Sequence, residues 1–316
     1  MNNMPAILGM DVKRTYWSAE TVFATTLTSA LSALGETIDL QTKPNFNPEE
    51  DEFLDRAFSS VAYQNYEVGF TIISKVWLRS GSVFLPETFW AKYALGETTG
   101  RATDGRLDSF SLVSKISTPT ATEYALFNGC MVDGLTIAAA GVGKALIYTL
   151  EGRCQYVSKS ATKAFTGLQT ITVGADPTLP TTAYARWDGT APQINYGAGL
   201  AAITGVIDWR LAIKNNLSPE WYKRTGADAL IYPVAEFFDE GDFDCTVEIT
   251  RWRRDSTHWT QKLARTTGIV LTLPINGMTW TLTGGYFPAP TAPDHKSGKD
   301  PLKETLSLKF SGLTIA

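Results

Sequence analysis

Histidine and cysteine are scarce in this chain. Its 316 residues include two histidines, His258 and His295, and three cysteines, Cys130, Cys154 and Cys245. Neither histidine lies near a cysteine or a carboxylate pair at the spacing of metal ligands, so the sequence predicts no metal site. The cysteines form no CxxC motif and no even set, which indicates buried free thiols in a reducing compartment. We therefore expect no metal and no cofactor.

An excess of positive charge is also missing. The chain has 28 basic and 32 acidic residues, which gives a net charge of −4. Proteins that wrap DNA or RNA neutralise its phosphates with clustered lysine and arginine, so this balance argues against direct nucleic-acid binding. The most basic segment is RWRR at residues 251–254. We expect it to be a solvated strand edge or a salt-bridge site between subunits.

No hydrophobic run is long enough for a membrane span. The most apolar stretch, residues 134–150, is too short and contains Lys144. The first residues also lack the basic-then-apolar order of a signal peptide. The sequence therefore predicts no contact with a membrane.

Motifs for phosphate binding and nucleophilic catalysis are incomplete or missing. GVGKA at residues 141–145 lacks the first glycine of a phosphate-binding loop, because Ala138 occupies that position, and Ala145 replaces the magnesium-binding Ser or Thr. We predict a hairpin turn there. GAGLAA at residues 197–202 fits a dinucleotide-binding pattern, but a strand-like segment follows it where a helix is required. No GxSxG motif occurs. The sequence thus predicts a protein that is not an enzyme.

The composition favours β-strands. Threonine is frequent and aromatic residues make up 11% of the chain. Two segments have the start and end signals of short helices, PETFWAKYALG at 86–96 and STHWTQKLARTTG at 256–268, and each ends in glycine. The sequence therefore predicts a mainly β fold with short helices. The predicted strands are residues 37–42, 61–78, 109–117, 123–138, 144–156, 205–213, 229–238, 243–252, 269–273, 278–286 and 305–315.

The order of these elements repeats in the two halves of the chain, which predicts an internal duplication. The two helices occupy the same place in each half. Four further pairs of segments match in the same order: Ile38-Asp39 with Ile207-Asp208, Asn47-Pro48-Glu49 with Ser218-Pro219-Glu220, YEVGFTII from Tyr66 with FDCTVEIT from Phe243, and IYTLEGR with SLKFSGL, which aligns Gly152 with Gly312.

The second of these pairs has the signals of a helix start. In NFNPEE, Asn47 is suited to the N-cap, Pro48 to the first helical position and Glu50 to the third position of a capping box. NNLSPEW has the same signals at Ser218 and Pro219. A catalytic loop is rarely built twice with different side chains after the cap, so we interpret both segments as assembly contacts. The candidate interface residues are Asn47, Pro48, Phe53, Pro219, Trp221 and Tyr222.

These features together resemble a known family. The segment 123–153, EYALFNGCMVDGLTIAAAGVGKALIYTLEGR, is similar to a strand–turn–strand pattern of the tail tube (major tail) proteins of long-tailed bacteriophages, in the version with a duplicated tube domain. The helix that ends in ALG and the segment NLSPEW are similar as well. The resemblance covers most of residues 36–316.

The resemblance implies two tandem β-sandwich domains, each with a flanking α-helix. Three copies would form a ring with pseudo-sixfold symmetry, and stacked rings would form a hollow tube through which DNA passes without specific binding. The implied partners are the protein itself and other tail proteins, in a virion tail assembled in the host cytoplasm. A long loop that reaches a neighbouring subunit or ring would correspond to residues 39–63 and 208–232.

On this interpretation the chain divides into four parts. Residues 1–35 are an N-terminal arm with a possible short helix, residues 36–157 the first domain, residues 158–204 an extended crossover linker, and residues 205–316 the second domain. The Pro-rich loop at 284–301 matches no part of the family that we can name.

Two other hypotheses fit the sequence. The chain could be a tail terminator or connector, which forms one ring and stops. It could also be a two-domain β-sandwich that binds or hydrolyses carbohydrate, with Trp187, Trp209 and Trp221 in its cleft.

Overall fold

The computed structural model describes residues 12–20, 32–34, 36–52, 58–77, 86–96, 106–117, 121–162, 164–165, 171–172, 184–222, 234–253, 255–288 and 303–315. Within them the protein is mainly β with short helices, as predicted.

The helices are α1 (Pro86–Tyr93) and α2 (Thr257–Leu263). The strands up to residue 172 are β1 (Val12–Ala19), β2 (Ser32–Ala33), β3 (Glu36–Glu52), β4 (Phe58–Lys75), β5 (Phe110–Ser117), β6 (Thr122–Ala139), β7 (Ile147–Cys154), β8 (Tyr156–Ser160), β9 (Ala164–Phe165) and β10 (Ile171–Thr172). The later strands are β11 (Gln193–Asn195), β12 (Ala201–Ala202), β13 (Val206–Lys214), β14 (Ser218–Tyr222), β15 (Val234–Asp239), β16 (Asp244–Trp252), β17 (Thr267–Ile275), β18 (Met278–Tyr286), β19 (Lys303–Phe310) and β20 (Gly312–Ile315).

One long antiparallel sheet runs through both halves of the chain. Its strands pair in the order β3–β4–β7–β6–β13–β16–β19, and we call it the main sheet. The predicted turn at residues 141–144 is confirmed, since it connects β6 to β7. The pairing of β6 with β13 joins the first half of the chain to the second.

A second layer covers one face of the main sheet. In the first half it consists of β1, β2, β5, β8 and the beginning of β6, and in the second half of β11, β12, β17, β18 and β20. Aromatic side chains fill the space between the layers. Phe70 of β4, for example, contacts Phe110 of β5 edge to face, with ring centroids 6.3 Å apart.

Glycine allows one strand in each half to pass from the second layer to the main sheet. In β6 this point is Gly129, with φ of 62°, and in β18 it is Gly284, with φ of 67°. A side chain at either position would be strained, because this backbone region favours glycine. A Cβ at Gly284 would also lie 2.1 Å from Ser311 Oγ. The two glycines follow equivalent hydrogen bonds, from Gln155 N–H to Asn128 O and from Ser311 N–H to Thr283 O.

The strand pairing repeats down to its irregularities. The β3–β4 ladder shifts register between Thr37 and Asp39, and the β13–β16 ladder shifts between Val206 and Asp208. The β5–β6 and β17–β18 ladders share a second shift, between Phe110 and Leu112 and between Ile269 and Leu271. Bulges persist within families because they direct the strand, so their coincidence supports the alignment of Ile38-Asp39 with Ile207-Asp208.

The repeated pairing corrects one sequence alignment. In the main sheet Cys154 lies opposite Val68 and Phe310 lies opposite Cys245. Gly152 of β7 therefore corresponds to Leu308 of β19, and its predicted match with Gly312 is wrong. Gly312 begins β20, so the glycines near the two strand ends resemble each other only in sequence.

The N-terminal arm contributes a strand to the second layer. Its residues 12–19 form β1, where the sequence suggested a possible short helix, and β1 pairs with β5 on one side and with β2 on the other. Thr, Tyr and Trp favour strands, and Tyr16 is buried. In the second half β11 pairs with β17 and β12 in the same way, although its residues lie in the predicted linker. Residues 1–11 and 21–31 lie outside the described residues.

Both predicted helices are confirmed, but they end differently. Gly96 follows α1 with φ of 65°, as the sequence indicates. After α2 the residue with positive φ is Arg265, at 54°, and the predicted terminal Gly268 instead lies within β17. The Thr266 N–H donates to Gln261 O across this turn. The three cysteines are buried free thiols, as predicted.

Gly152 provides a test of how tightly the layers pack. A Cβ there would lie 2.3 Å from Phe70 Cζ and 2.5 Å from Met131 O. We expect Gly152→Ala to lower the free energy of unfolding by about 1–3 kcal/mol through overpacking. Urea denaturation of the unassembled protein measures this change.

Gly134→Ala on the neighbouring strand is the matched control, because its Cβ would meet no atom closer than 3.4 Å. Equal stability losses in the two variants would contradict the proposed crowding at Gly152.

Candidate assembly surfaces

The two segments predicted as capped helix starts are strands. Asn47 and Pro48 lie in β3, which pairs with β4, and Pro219, Trp221 and Tyr222 lie in β14, which pairs with β15. The helix prediction is therefore wrong at both places. Proline is tolerated in strands at a sheet edge, and among the described residues β3 and β14 each have a single ladder partner. The proline thus marks an edge strand here.

The two hairpins form neighbouring arms, which we define as the outer part of β3–β4 (residues 46–52 and 58–66) and the strands β14 and β15. They meet at a parallel bridge between Tyr66 and Val234. Of the candidate interface residues, Pro219 is half-exposed, and Phe53 lies outside the described residues. The side-chain environments of Asn47, Pro48, Trp221 and Tyr222 also lie outside the described part, so their interface role stays a prediction.

The base of the β14–β15 arm is fixed to the first half of the chain. Arg106 Nε donates to Asp239 Oδ1 at 2.9 Å, and the same guanidinium lies 3.6 Å from the centroid of the Phe237 ring. The Leu107 N–H donates to Glu240 Oε1 at 2.6 Å. Contacts of this kind hold the arm at a defined angle to the main sheet.

The joint between the two halves is a complete antiparallel ladder. Residues Gly134–Ala139 of β6 pair in register with Trp209–Lys214 of β13. Asn215 extends it, because its backbone N–H donates to Asp133 O at 2.7 Å. The buried Asn215 side chain then donates to Ala94 O at 3.0 Å and Val132 O at 2.9 Å. The joint therefore combines backbone pairing with an amide that clamps β6 and the end of α1.

Sequence reasoning missed Asn215 and its neighbour Asp133. Asp133 Oδ1 accepts the Leu217 N–H at 2.8 Å, which turns the chain out of β13 toward the arm. The available signal was the Asn-Asn pair before Leu217, which we read only as part of a helix start. A buried amide whose hydrogen-bond partners lie elsewhere in the chain leaves no periodic pattern in the sequence.

The main sheet has one buried face and one polar face. In β6, β7, β13 and β16 its buried residues alternate with partly or fully exposed residues, many of them Thr or charged. The basic residues on the polar face have acidic partners nearby. The pairs are Arg210 opposite Glu248, Arg153 Nε at 3.6 Å from Asp133 Oδ2, and Lys309 Nζ at 3.2 Å from Asp244 Oδ1. Such pairing limits the positive field above this face.

A buried charge cluster lies beneath α2 and corrects the expectation for RWRR. Arg251 is 1% exposed, and its Nε lies 2.5 Å from Glu304 Oε1 on the paired strand β19. Its terminal nitrogen lies 3.4 Å from Asp255. Arg251 is thus a core residue and no solvated edge. The equivalent cross-strand pair in the first half is Ser74 and Tyr148.

His258 of α2 closes this cluster. Its Nδ1 is hydrogen-bonded to the Tyr196 hydroxyl at 2.5 Å. Burial, and then the nearby Arg251 charge, lower the pKa of the imidazole from its usual value. Since an imidazole that stays neutral keeps its hydrogen bond, His258 fixes α2 to its own half of the chain.

No three His, Cys, Asp or Glu residues in the described part of the chain are placed to hold a metal ion. Among the same residues, no helix has the length and apolar character that crossing a membrane requires.

Replacement of Asn215 tests the joint. In Asn215→Asp a carboxylate replaces the amide donor beside two buried carbonyl groups, and we expect the free energy of unfolding to fall by about 1–3 kcal/mol. Thermal unfolding near neutral pH measures the loss. The matched control is Asn216→Asp, which also removes an amide donor, but from an exposed residue whose Nδ2 donates to Asp242 O at 2.6 Å. A loss in Asn215→Asp no larger than that in Asn216→Asp would contradict the special contribution of the buried clamp.

Mild acid should destabilise the α2 region. The folded-state pKa of His258 lies below its usual value of about 6.5, so the unfolded chain binds the proton at higher pH than the folded chain. The contribution of His258 is complete above about pH 6.5 and decreases as the pH falls through that value. The denaturation midpoints of wild type and His258→Asn, followed from about pH 7.5 to about pH 5 across the titration range of an imidazole, measure this loss of stability. If the denaturation midpoint of wild type falls with decreasing pH no more steeply than the midpoint of the variant, this assignment is contradicted.

Comparisons with known proteins identify one matching family and several similar solved structures. The family model described as phage tail tube protein matches residues 14–312. The fold is similar to the tube-terminating cap of the anti-feeding prophage, with 8% identity, a TM-score of 0.32, and coverage of 51% of this chain and 92% of that chain. It is also similar to a chain of the anti-feeding prophage baseplate, with 12% identity, a TM-score of 0.31, and coverage of 50% and 97%. No curated protein matches the chain.

Proposed function

Since the chain belongs to the phage tail tube protein family, we propose that three copies form a ring and that stacked rings form the hollow tube through which DNA passes. Each copy supplies two tandem β-sandwich domains with a flanking helix. The duplicated ladders, with bulges at equivalent positions in β3 and β13, support this division. The second domain then begins with β11, and β1 belongs to the first.

The β6–β13 joint carries the ring proposal. It connects two similar halves edge to edge through the main sheet. The equivalent of β13 in the first half is β3, whose described residues pair with β4 alone. Repetition of the joint between copies places the free edge of β3 against the second half of the next copy. A closed ring leaves no unpaired main-sheet edge, which removes the hazard of an exposed edge strand.

The polar face of the main sheet is the proposed lining of the lumen. Closure of the sheet leaves its buried face toward the second layer and its polar face toward the centre. Basic residues there, such as Arg210 and Lys309, lie beside Glu248 and Asp244. A lining with balanced charge lets DNA move, whereas clustered positive charge would retain it through its phosphates.

The two arms are the proposed contacts between subunits or rings. Their described strands adjoin at the bridge between Tyr66 and Val234. They contain Asn47, Pro48, Pro219, Trp221 and Tyr222, and Phe53 follows β3 in the sequence. Head-to-tail contacts between rings do not close, so they produce filaments. Assembly with other tail proteins in a virion follows from the same surfaces at the tube ends.

Electron microscopy of purified protein tests the proposal. Long tubes support a tube subunit, and single rings that never stack support the terminator or connector hypothesis. Absence of both, together with glycan binding by the unassembled protein, would support the carbohydrate-binding hypothesis and refute the proposed function.

Trp221→Ala tests the arm contact. Buried aromatic residues dominate interface energies, so we expect a loss of about 2 kcal/mol or more per contact in assembly, with little change in the unfolding of the monomer. Sedimentation across a concentration series measures assembly. Glu220→Ala, its exposed neighbour in β14, is the matched control. Equal loss of assembly and of monomer stability, or no loss of either, would argue against the contact.

A further inference from the structure

Helix α1 has two buried faces, and the second of them reaches both halves of the chain, since the Trp90 ring lies 5.2 Å from that of Tyr148 in its own half and also contacts the other half. Phe89 and Tyr93 form the first face, which contacts the second layer of their own half, and the Phe89 ring lies 5.0 Å from Phe110. Trp90 and Ala94 form the other face. The Trp90 ring lies 5.9 Å from that of Trp280 on β18, in the second half. The second face of α1 is thus part of the contact between halves.

Helix α2 repeats this arrangement with one face uncovered. His258 and Lys262 are buried against their own half, as Phe89 and Tyr93 are in α1. Trp259 and Leu263 each follow one residue later, as Trp90 and Ala94 do. Trp259 is only half-buried, and Leu263 is 59% exposed. A tryptophan and a leucine one helical turn apart, on a helix anchored by its other face, are a typical interface element.

We propose that Trp259 and Leu263 bind a second copy of this chain, at its first half on the second-layer part of β6. The inference rests on the proposed ring, because it treats the contact between copies as a repeat of the contact between halves. It goes beyond the ring in naming the helix, the face and the strand that meet.

Strand register identifies the position on the second copy. Trp280 lies opposite Leu273 on β17 and Ile315 on β20. When the two halves are aligned on the register shifts that their ladders share, Ala125 of β6 is the residue equivalent to Trp280. Ala125 lies opposite Ser114 on β5 and Lys159 on β8.

Side-chain size fits this assignment. The second half presents an indole to α1 at Trp280, whereas the first half presents only the methyl group of the half-buried Ala125. A small residue leaves room for the Trp259 ring and the larger Leu263, which replaces Ala94. The occupant is therefore a copy of the chain.

The first test is a pair of arginine substitutions. Leu263→Arg places a charge in the proposed contact, and Ala264→Arg places the same charge on the adjacent exposed residue of the helix. We expect Leu263→Arg to raise the protein concentration required for ring formation about tenfold or more, while Ala264→Arg assembles like wild type. Electron microscopy and sedimentation of the full-length protein measure ring formation, and thermal unfolding at low concentration checks the fold.

The outcomes separate this inference from the proposed function. If Leu263→Arg forms rings at the same protein concentration as wild type, the α2 contact is overturned and the ring proposal stays intact. A wild-type protein that forms no rings overturns both.

A photocrosslink tests the named partner strand independently of stability. Benzoylphenylalanine replaces Trp259, and light is applied to assembled protein. The inference is supported if mass spectrometry locates a crosslink between two chains within β6 near Ala125. An adduct elsewhere on the second copy, or within the same chain only, overturns it.

Discussion

β6 pairs with β7 on one edge from Gly134 to Ala138 and with β13 on the other from Gly134 to Ala139. This second pairing makes one sheet of two similar halves, and most of the remaining structure depends on it. The order of strands, the position of α1 between the halves and the clamp at Asn215 all depend on the pairing of β6 with β13. The buried core is also continuous across the joint, since Trp90 and Trp280 meet there.

The two halves share a backbone but differ in what they bury. At one cross-strand position the first half has Ser74 and Tyr148, and the second has the ion pair of Arg251 and Glu304. The fold accommodates both pairs at corresponding places: the Tyr148 hydroxyl donates to Leu34 O, and Arg251 Nε donates to Glu304 Oε1 at 2.5 Å. The ladders, with their corresponding bulges and glycine crossings, therefore accommodate different side chains at corresponding positions.

Sequence patterns predicted the helices and strands better than they predicted which of these elements contact each other. Alternation and helix signals located most strands and both helices, and the aligned Ile38-Asp39 and Ile207-Asp208 coincide with a register shift in each half. The prolines at 48 and 219 misled us, because a helix start and an edge strand both tolerate proline, and only tertiary pairing distinguishes them. Arg251 and Asn215 were misjudged for a related reason. Their partners lie on strands far along the chain, so no local pattern reports them.

The peptide link between the halves changes how a ring would nucleate. In a ring of three copies, half of the edge-to-edge joints are already made when each chain folds, at a local concentration that dilution cannot reduce. Only the joints between copies depend on collision. A chain of this design can keep those joints weak, so free subunits stay dispersed and tubes grow where a template holds the first ring.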